Sequence, residues 1–258
     1  NGAGKTTALS MLTADLSPTF GHATVHGLDI FRNREEVYNI MGYCPQFDAL
    51  MDLCTGDECL TFYARVKGVP ENQIADFVDR SLTRMDLQRY RHQLTKDYSG
   101  GNKRKLSLAI AFVGAPRTVF LDEPSTGMDP VARRHMWDVV SSSRAGRTIF
   151  LTTHLLEEAD VLASRIGILV NGRLACLGSP QRLKSLYGAG YRMEIKTSNP
   201  QHEEALHAMV RSFCPEARVL ESHSGHINYE LTREVSLAQV FATVEAERGT
   251  LEVIDYAV

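Results

Sequence analysis

The sequence predicts an α/β domain followed by a smaller α+β domain. In the first part of the chain, short apolar runs alternate with helical patterns, which indicates an α/β sheet. In the second part, single apolar and polar residues alternate, as they do in half-buried strands. The pattern changes at Gly188-Ala189-Gly190, which we interpret as a hinge. We therefore expect one domain over residues 1–189 and a second over residues 190–258.

The composition is that of a globular protein and excludes several classes. Of the 258 residues, 43% are hydrophobic and 23% are charged, which excludes a disordered or low-complexity chain. The net charge is −3, whereas a protein that works mainly on nucleic acid needs a strongly basic face. No apolar run approaches the roughly 18 residues of a membrane span. The five cysteines form no C-x-x-C pair, which indicates a reducing, cytosolic compartment.

The elements of the first domain follow from local patterns. Strands are predicted at Ala23–Val25, Thr118–Leu121, Thr148–Leu151 and Ile166–Val170, and we interpret the last three as buried strands of one parallel sheet. Helices are predicted over residues 57–67 and 71–86 and from Ser99 onward. In the second of these helices the apolar residues share one face: Ile74, Phe77, Val78, Leu82 and Met85.

The second domain reads as β-α-β-β-α-β, the order of a ferredoxin-like fold. Strands are predicted from Tyr191 to Lys196, near 217–221, near 226–232 and at Leu251–Tyr256. One helix begins at Asn199-Pro200, and a capping box of Ser236 and Gln239 begins the other. The predicted apolar faces are Ala205, Leu206, Met209, Val210 and Phe213 in the first helix, and Leu237, Val240, Phe241 and Val244 in the second.

The first residues contain most of the phosphate-loop pattern G-x-x-x-x-G-K-[ST]. Small residues allow backbone N–H groups to surround a phosphate, and the following helix directs its positive N-terminus at the same anion. Lys5 would reach the β- and γ-phosphates, and Thr6 would bind Mg²⁺. The first glycine of the pattern would lie two residues before the first residue, so we expect a preceding segment. The loop residues are Asn1, Gly2, Ala3, Gly4, Lys5, Thr6 and Thr7.

Two carboxylates end the apolar run at Thr118–Leu121. A buried parallel strand would carry Asp122 to the edge of the sheet beside the phosphate loop, where it could hold Mg²⁺. Glu123 follows and could orient or deprotonate an attacking water. The alternative is a pair of acids that merely end a strand, and the upstream phosphate loop disfavours it.

A second anion site is predicted at the start of the Ser99 helix. A serine, two glycines and an uncapped helix start can receive a phosphate, but this segment has no lysine of the phosphate-loop type and no carboxylate pair of its own. It could therefore serve a phosphate held by another protein surface. The alternative is an ordinary capped helix. The segment, which we call the signature segment, is Ser99, Gly100, Gly101 and Asn102.

With these motifs in place, the sequence resembles the ABC ATPase family. The signature segment matches the family motif, with Asn102 where many members carry glutamine. Gln46 matches the Q-loop glutamine, Ser125–Asp129 matches the D-loop, and His154 matches the switch histidine. Their order and spacing over 154 residues are specific, although each motif alone is weak.

Longer stretches resemble the A subfamily of eukaryotic ABC transporters, in particular its second ATPase domain. These stretches are Ser99–Ser107 and Leu121–Pro130, and residues 190–258 resemble the regulatory domain of the subfamily. Tyr98 stands where the signature motif has leucine. The resemblance also implies that the first strand of the ATPase domain, with the aromatic residue that stacks on adenine, lies upstream of this sequence.

The resemblance implies a mechanism in which two ATPase domains pair head to tail around two ATP molecules. Gln46 would contact Mg²⁺ or the attacking water, His154 the γ-phosphate, and Asp129 the pair interface. The helical subdomain, about residues 50–115, would contact the transmembrane domains of the same transporter. The implied protein is an ATPase at the cytoplasmic face of a membrane, part of an integral membrane protein, that uses ATP and Mg²⁺ to move lipids without itself binding nucleic acid. The lipid cargo would involve this domain only indirectly.

Two other functions remain open from the sequence. A soluble ABC ATPase of the nucleic-acid or translation type is disfavoured by the negative charge and by the absence of a long coiled-coil insert. A binding module that has lost catalysis is disfavoured by the presence of Lys5, Glu123 and His154. We interpret Lys103-Arg104-Lys105 as a solvated helix face and Cys44 as a packed thiol.

Overall fold

The computed structural model describes residues 2–187, 190–232 and 234–258. The chain forms two compact units, Asn1–Pro180 and Gln181–Val258. The boundary expected from the sequence, between residues 189 and 190, lies several residues further along. Gly188 and Ala189 of the expected hinge, and Asn1 of the phosphate loop, fall outside the described residues.

The first unit alternates helices and strands. Its helices are α1 (Lys5–Leu12), α2 (Arg34–Ile40), α3 (Gly56–Val66), α4 (Glu71–Arg84), α5 (Gly100–Ala111), α6 (Pro130–Ser142) and α7 (Leu156–Leu162). Its strands are β1 (Thr24–Val25), β2 (Leu28–Asp29), β3 (Met41–Cys44), β4 (Thr118–Asp122), β5 (Thr148–Thr152), β6 (Ile166–Val170) and β7 (Arg173–Gly178). Helix α8 (Pro180–Tyr187) follows.

A three-stranded parallel sheet, in the order β3-β4-β5, forms the centre of this unit. All five residues of β4 are buried, as expected for a strand covered on both faces. Phe120 packs in one cluster with Leu9 of α1, whereas Val119 and Leu121 pack in another with residues of α3 to α6. Helices therefore cover both faces, and the carboxyl ends of the strands meet beside the start of α1.

The helical segment between β3 and β4 is held by caps and by one close approach. Thr55 and Glu58 form a capping box at the start of α3. Helix α5 lies directly against β3 at Gly42, where a Cβ atom would be only 1.8 Å from the carbonyl oxygen of Ala111. A side chain at Gly42 would force the helix away from the sheet.

The prediction of buried strands in the parallel sheet is wrong for Ile166–Val170 and only partly right for Thr148–Leu151, which joins that sheet in β5 but is exposed or half-buried because β5 lies at the end of the strand order. Strand β6 pairs antiparallel with β7 in a separate two-stranded sheet, and most of its residues are not buried. The hairpin turn is Asn171-Gly172, and both residues have positive φ values, 49° and 76°. Asn-Gly between two apolar runs is a strong hairpin signal, so the turn residues indicate this pairing and the run of apolar residues alone does not.

The second unit has the predicted β-α-β-β-α-β order. Its elements are β8 (Tyr191–Thr197), α9 (Glu203–Phe213), β9 (Arg218–His223), β10 (His226–Leu231), α10 (Leu237–Glu247) and β11 (Val253–Ala257). The sheet is antiparallel with the strand order β11-β8-β10-β9, which is the ferredoxin-like arrangement. A core of its own includes Met193, Leu206 and Tyr229.

Three details of the second unit differ from the sequence predictions. Ser236 precedes α10, but its side chain makes no capping hydrogen bond, so the predicted box with Gln239 does not form. Ala205 is exposed, and Phe241 is 44% exposed, because each lies at the margin of its apolar face. Across the described residues, no helix has the length and hydrophobicity of a membrane span.

Candidate functional site

The phosphate loop leads into α1 through glycines in left-handed conformations. Gly2 has φ 80° and Gly4, the N-cap of α1, has φ 94°, and no side chain caps this helix. The first N–H groups of α1 therefore remain available to an anion. The turn of the β6–β7 hairpin supports the loop, because the Gly172 amide donates a 3.0 Å hydrogen bond to the carbonyl of Ala3.

Three predicted site residues converge on the carboxylate of a fourth, Glu123. Lys5 Nζ lies 3.6 Å from Glu123 Oε1, and His154 Nδ1 lies 3.3 Å from Oε2. Gln46 Nε2 donates to Oε2 at 3.5 Å. Lys5, Gln46, Glu123 and His154 thus form one group of side chains, which we call the Glu123 cluster. It gathers residues from four separate segments of the sequence.

Asp122 lies beside this cluster and has an unused oxygen. Its carboxylate is fully buried. The Oδ1 atom accepts from the hydroxyl of Thr6 at 3.4 Å and from the hydroxyl of Thr152, whereas Oδ2 has no hydrogen-bond partner. A buried carboxylate oxygen without a partner, next to a hydroxyl, fits a hard cation such as Mg²⁺, which takes one or two protein oxygens and completes its shell with phosphate and water.

Thr152 is a site residue that the sequence motifs do not reveal. Besides its bond to Asp122, its carbonyl accepts from the Glu123 amide at 3.0 Å, and its hydroxyl accepts from the same amide at 3.2 Å. Glu123 has φ 47°, a left-handed conformation that is uncommon outside glycine, and these bonds hold the turn in that conformation. The signal that could have identified Thr152 is the register of the β4–β5 pair, in which Thr152 lies directly opposite Asp122.

Arg104 corrects the interpretation of Lys103-Arg104-Lys105 as a solvated face. Its side chain is buried, and the guanidinium reaches the loops that carry Gln46 and Glu123. Lys105 is also largely covered, and its ammonium lies 3.6 Å from Asp86. The missed signal was helical spacing, since Arg104 lies four and seven residues before the buried Leu108 and Ala111.

The signature segment and Asp129 lie at the starts of α5 and α6. Contrary to the expected uncapped start, Ser99 Oγ accepts from the Asn102 amide at 3.3 Å. A Cβ atom on Gly100 or Gly101 would meet nothing within 4 Å, so this surface is open. Asp129 is exposed and caps α6, and hydrogen bonds from the Ala132 and Val131 amides lower the pKa of its carboxyl group. Among the described residues, no hydrogen bond or ion pair joins Ser99 or Asp129 to the Glu123 cluster.

Cys44 is a packed thiol, as predicted. It is fully buried at the end of β3, and burial raises its pKa to about 12. The thiol is therefore neutral near pH 7 and unreactive.

The arrangement has the parts that phosphoryl transfer to water requires. A lysine and an uncapped helix start can bind phosphates, Asp122 and Thr6 can hold a cation, and Glu123 can accept a proton from water. Gln46 and His154 contact the same carboxylate and can position the reacting groups.

Two family models match the chain in succession. Residues 1–126 match "ABC transporter", and residues 188–258 match "ABCA1-like, C-terminal R1 regulatory domain". The two matches cover parts of the two compact units.

Curated relatives match over the whole chain or nearly so. The phospholipid-transporting ATPase ABCA3 of Homo sapiens is 46% identical over 263 residues, covering 100% of this chain and 15% of that protein. ATP-binding cassette sub-family A member 2 of Homo sapiens is 44% identical and covers 100% of the chain and 11% of that protein. ABC transporter A family member 12 of Arabidopsis thaliana is 42% identical and covers 98% of the chain and 28% of that protein. The chain thus spans a small part of the length of these relatives.

Solved structures share the fold over about 70% of this chain. An ATP-binding subunit of an ABC transporter is 27% identical, with a TM-score of 0.67, over 73% of this chain and 79% of that one. The cassette MJ0796, solved as a dimer in a post-hydrolysis state with ADP and Pi, has a TM-score of 0.63 at 20% identity and covers 69% of this chain and 81% of its own. At that identity the likeness to MJ0796 concerns the fold alone.

Proposed function

The chain belongs to the ABC transporter family, as an ATPase domain of the A-subfamily type followed by an R1-type regulatory domain, and we propose that it hydrolyses ATP with Glu123 as the general base. The observation that carries the proposal is the convergence of Lys5, Gln46 and His154 on the Glu123 carboxylate. Three side chains that touch one carboxylate define where a γ-phosphate and its attacking water would meet.

The residues of the chain divide the chemical work among them. Backbone amides from Gly2 to Thr7, with Asn1 included by the motif, cradle the phosphates, and Lys5 neutralises their charge. Thr6, Asp122 and Gln46 would hold Mg²⁺, which would supply charge neutralisation. Glu123 takes the proton of the attacking water, Gln46 orients that water, and His154 donates to the γ-phosphate. Lys5 now lies against Glu123, so ATP would replace this ion pair with a lysine–phosphate pair.

We propose further that a second ABC ATPase domain completes the site. In this chain Ser99, Gly100 and Asp129 are exposed and the rest of the signature segment is half-buried, and none of these residues bonds to the Glu123 cluster in the described residues. An open anion-binding surface without a lysine of the phosphate-loop type suits a phosphate held by another domain. Pairing would depend on ATP, because each nucleotide would contact both domains.

The biological role we propose is to power transmembrane lipid transport from the cytoplasmic side of a membrane. The support is the phospholipid-transporting activity in the name of one relative and the sub-family A membership of the others. Transmembrane domains of the same protein would be contacted by the helical segment of about residues 50–115. Residues 190–258 would form a regulatory domain, as the matched family model describes.

Replacement of Glu123 by glutamine tests the proposed chemistry. The Glu123→Gln change keeps the size of the side chain but removes the base, so the rate of ATP turnover should fall by about 10²–10⁴ while ATP affinity is retained. The measurement pairs phosphate release with equilibrium ATP binding in the full-length protein. Glu157→Gln, at an exposed glutamate of the same unit, is the control and should hydrolyse ATP normally. Near-normal turnover in Glu123→Gln would contradict the assignment.

A further inference from the structure

We propose that Arg104 is a positioning residue that connects the signature helix α5 to the loops of Gln46 and Glu123 in the same chain. The proposal rests on the proposed function, in which Glu123 and Gln46 act on ATP. It concerns a residue outside the phosphate loop, the carboxylate pair and the signature segment. Arg104 fixes the backbone on which the Gln46 and Glu123 side chains are mounted.

The guanidinium of Arg104 uses all of its five N–H donors on two loops. In the turn after β4, Nη2 donates to the carbonyls of Asp122 at 2.6 Å and Glu123 at 3.0 Å. In the same turn, Nε donates to the carbonyl of Pro124 at 3.0 Å. In the loop after β3, Nη1 donates to the carbonyl of Pro45 and to Asp48 Oδ1, the latter at 3.2 Å.

These acceptors lie next to the reacting side chains. Pro45 immediately precedes Gln46, and the carbonyls of Asp122 and Glu123 belong to the residues whose side chains would hold Mg²⁺ and the water. A shift of the guanidinium would therefore displace Gln46 and Glu123 together. Misplacement of about 1 Å can cost roughly 10²-fold in rate even when it originates away from the chemistry.

Burial makes this connection rigid. The Arg104 side chain is 3% exposed, and Asp48, at 20% exposed, is the carboxylate that balances its charge. A buried cation must keep its partners, because an unpaired charge or carbonyl in the interior is costly. The two loops and helix α5 must consequently move together or stay in place together.

The position of Arg104 on α5 gives the connection a second consequence. Ser99 caps the same helix little more than one turn before Arg104. A helix transmits displacement along its axis, so the signature segment is mechanically tied to the turn that carries Glu123. The surface offered to the ATP of a partner domain would thus respond to the state of the chain's own site.

The side-chain chemistry explains why lysine could not substitute for Arg104. The planar guanidinium directs donors to two sides at once, whereas an ammonium has three donors around a single point. Lysine would keep the charge and the pairing with Asp48 but could not bridge both loops. Arg104→Lys therefore separates loss of geometry from loss of charge.

The test compares Arg104→Lys and Arg104→Gln with Lys103→Gln in the full-length protein. Lys103 lies on the same helix, and removing its charge controls for electrostatic effects. We measure the melting temperature, the ATP dissociation constant, KM and kcat for each. Both Arg104 variants should lose about 10–100-fold in kcat, with KM and ATP affinity changed by less than about threefold, because Arg104 does not touch the phosphate loop. Lys103→Gln should match the parent.

A double-mutant cycle compares single-turnover rates and distinguishes a positioning role of Arg104 from a purely structural one. If Arg104 acts through Glu123, then Arg104→Lys combined with Glu123→Gln should have the same single-turnover rate as Glu123→Gln alone. If the losses in rate of the two single variants multiply in the double variant, the proposal is wrong. It is also wrong if kcat is unchanged in Arg104→Lys, or if a higher KM alone accounts for the loss of activity in that variant.

The remaining outcomes are also decisive. Failure of both Arg104 variants to fold would assign the residue to stability and overturn the positioning role. Normal turnover in Glu123→Gln would instead overturn the proposed function itself, so the two failures are distinguishable. If Glu123→Gln loses turnover but Arg104→Lys keeps a normal rate, the proposed function stands and only the positioning role of Arg104 is wrong.

Discussion

The hydroxyl of Thr152 donates a hydrogen bond to the buried carboxylate of Asp122 across the β4–β5 pair. This bond uses one carboxylate oxygen and leaves the other, Oδ2, without a partner. Thr152 therefore orients Asp122 so that its free oxygen is available to a cation. Residues that orient a metal ligand in this way typically affect metal affinity as strongly as some ligands do.

Removal of the Thr152 hydroxyl should weaken Mg²⁺ binding. Thr152→Val keeps the shape of the side chain but loses the hydroxyl's bonds to Asp122 and to the Glu123 amide. We therefore expect half-maximal ATP turnover to need a Mg²⁺ concentration about 10–100-fold higher than in the parent. Thr152→Ser retains the hydroxyl and should behave like the parent. Titration of turnover with Mg²⁺ at saturating ATP checks this, and equal Mg²⁺ dependence in the valine and serine variants would disprove the role.

Damage to the signature segment should act on the partner domain. Gly101→Asp places a negative charge where the partner's triphosphate would lie, while the open space around Gly101 allows the fold to accept the side chain. ATP-dependent association should weaken by about a hundredfold, since facing like charges cost several kcal/mol and every 1.4 kcal/mol or so is about tenfold. ATP affinity at Lys5 of the same chain should be preserved.

Gly101→Ala is the matched control for steric effects, because it adds a methyl group without charge. It should reduce association less than the aspartate does. Nucleotide affinity and ATP-dependent association are measured separately for both variants. Lost affinity at the variant's own site, with association unchanged, would show that the signature segment acts within one chain.

Residues 190–258 should fold without the rest of the chain. Their strands and helices enclose a separate core that includes Ile195, Val210 and Ile227, all fully buried. The isolated segment should unfold in one cooperative transition, with a urea m-value of about 1 kcal/mol/M, as small domains do. Residues 1–189 without it should bind ATP with unchanged affinity. Collapse of the first domain on deletion would instead indicate one continuous core.

Thiol labelling should distinguish the buried cysteines from the half-buried ones. Burial raises the pKa of Cys44 to about 12 and that of Cys59 to about 11, so both thiols stay protonated at pH 8. The half-buried Cys54 and Cys176 should react first with an alkylating reagent, and Cys44 should react only on unfolding. Peptide mass mapping after timed labelling checks the order. Early modification of Cys44 in folded protein would contradict its assignment as a packed thiol.

Much of the fold could be predicted because the deciding signals are local. Alternating residues in Tyr191–Thr197 and a spacing of three and four residues in Glu71–Arg84 each place apolar groups on one face, and both elements form. Asn199 accepts from the Gln201 amide and caps a short 3₁₀ turn, Pro200–His202, whereas the α-helix that was predicted to begin at Asn199-Pro200 begins at Glu203. The predicted capping box at Ser236 does not form, although its residue types are suitable. Suitable residue types allow a capping hydrogen bond but do not determine the side-chain conformation that would make it.

The pairing of the strands was harder to predict from the sequence, because an apolar run does not specify which strand it pairs with. Thr148–Leu151 and Ile166–Val170 look alike as sequences, yet the first joins the parallel sheet and the second folds back on β7. The Asn171-Gly172 turn decides the second case, because residues with positive φ values reverse the chain too tightly for a parallel crossover.

The sequence by itself predicted the residues of the candidate site: a phosphate loop, a carboxylate pair and four further motifs that match the family, each made of residues close together in the chain. Only the tertiary structure revealed which groups of that site Arg104 and Thr152 contact. Arg104 bonds to groups between 18 and 59 residues away, and Thr152 faces Asp122 from 30 residues away. A buried cation or hydroxyl is stable only where distant backbone and side-chain atoms satisfy it, so its role is fixed by packing that local sequence does not contain.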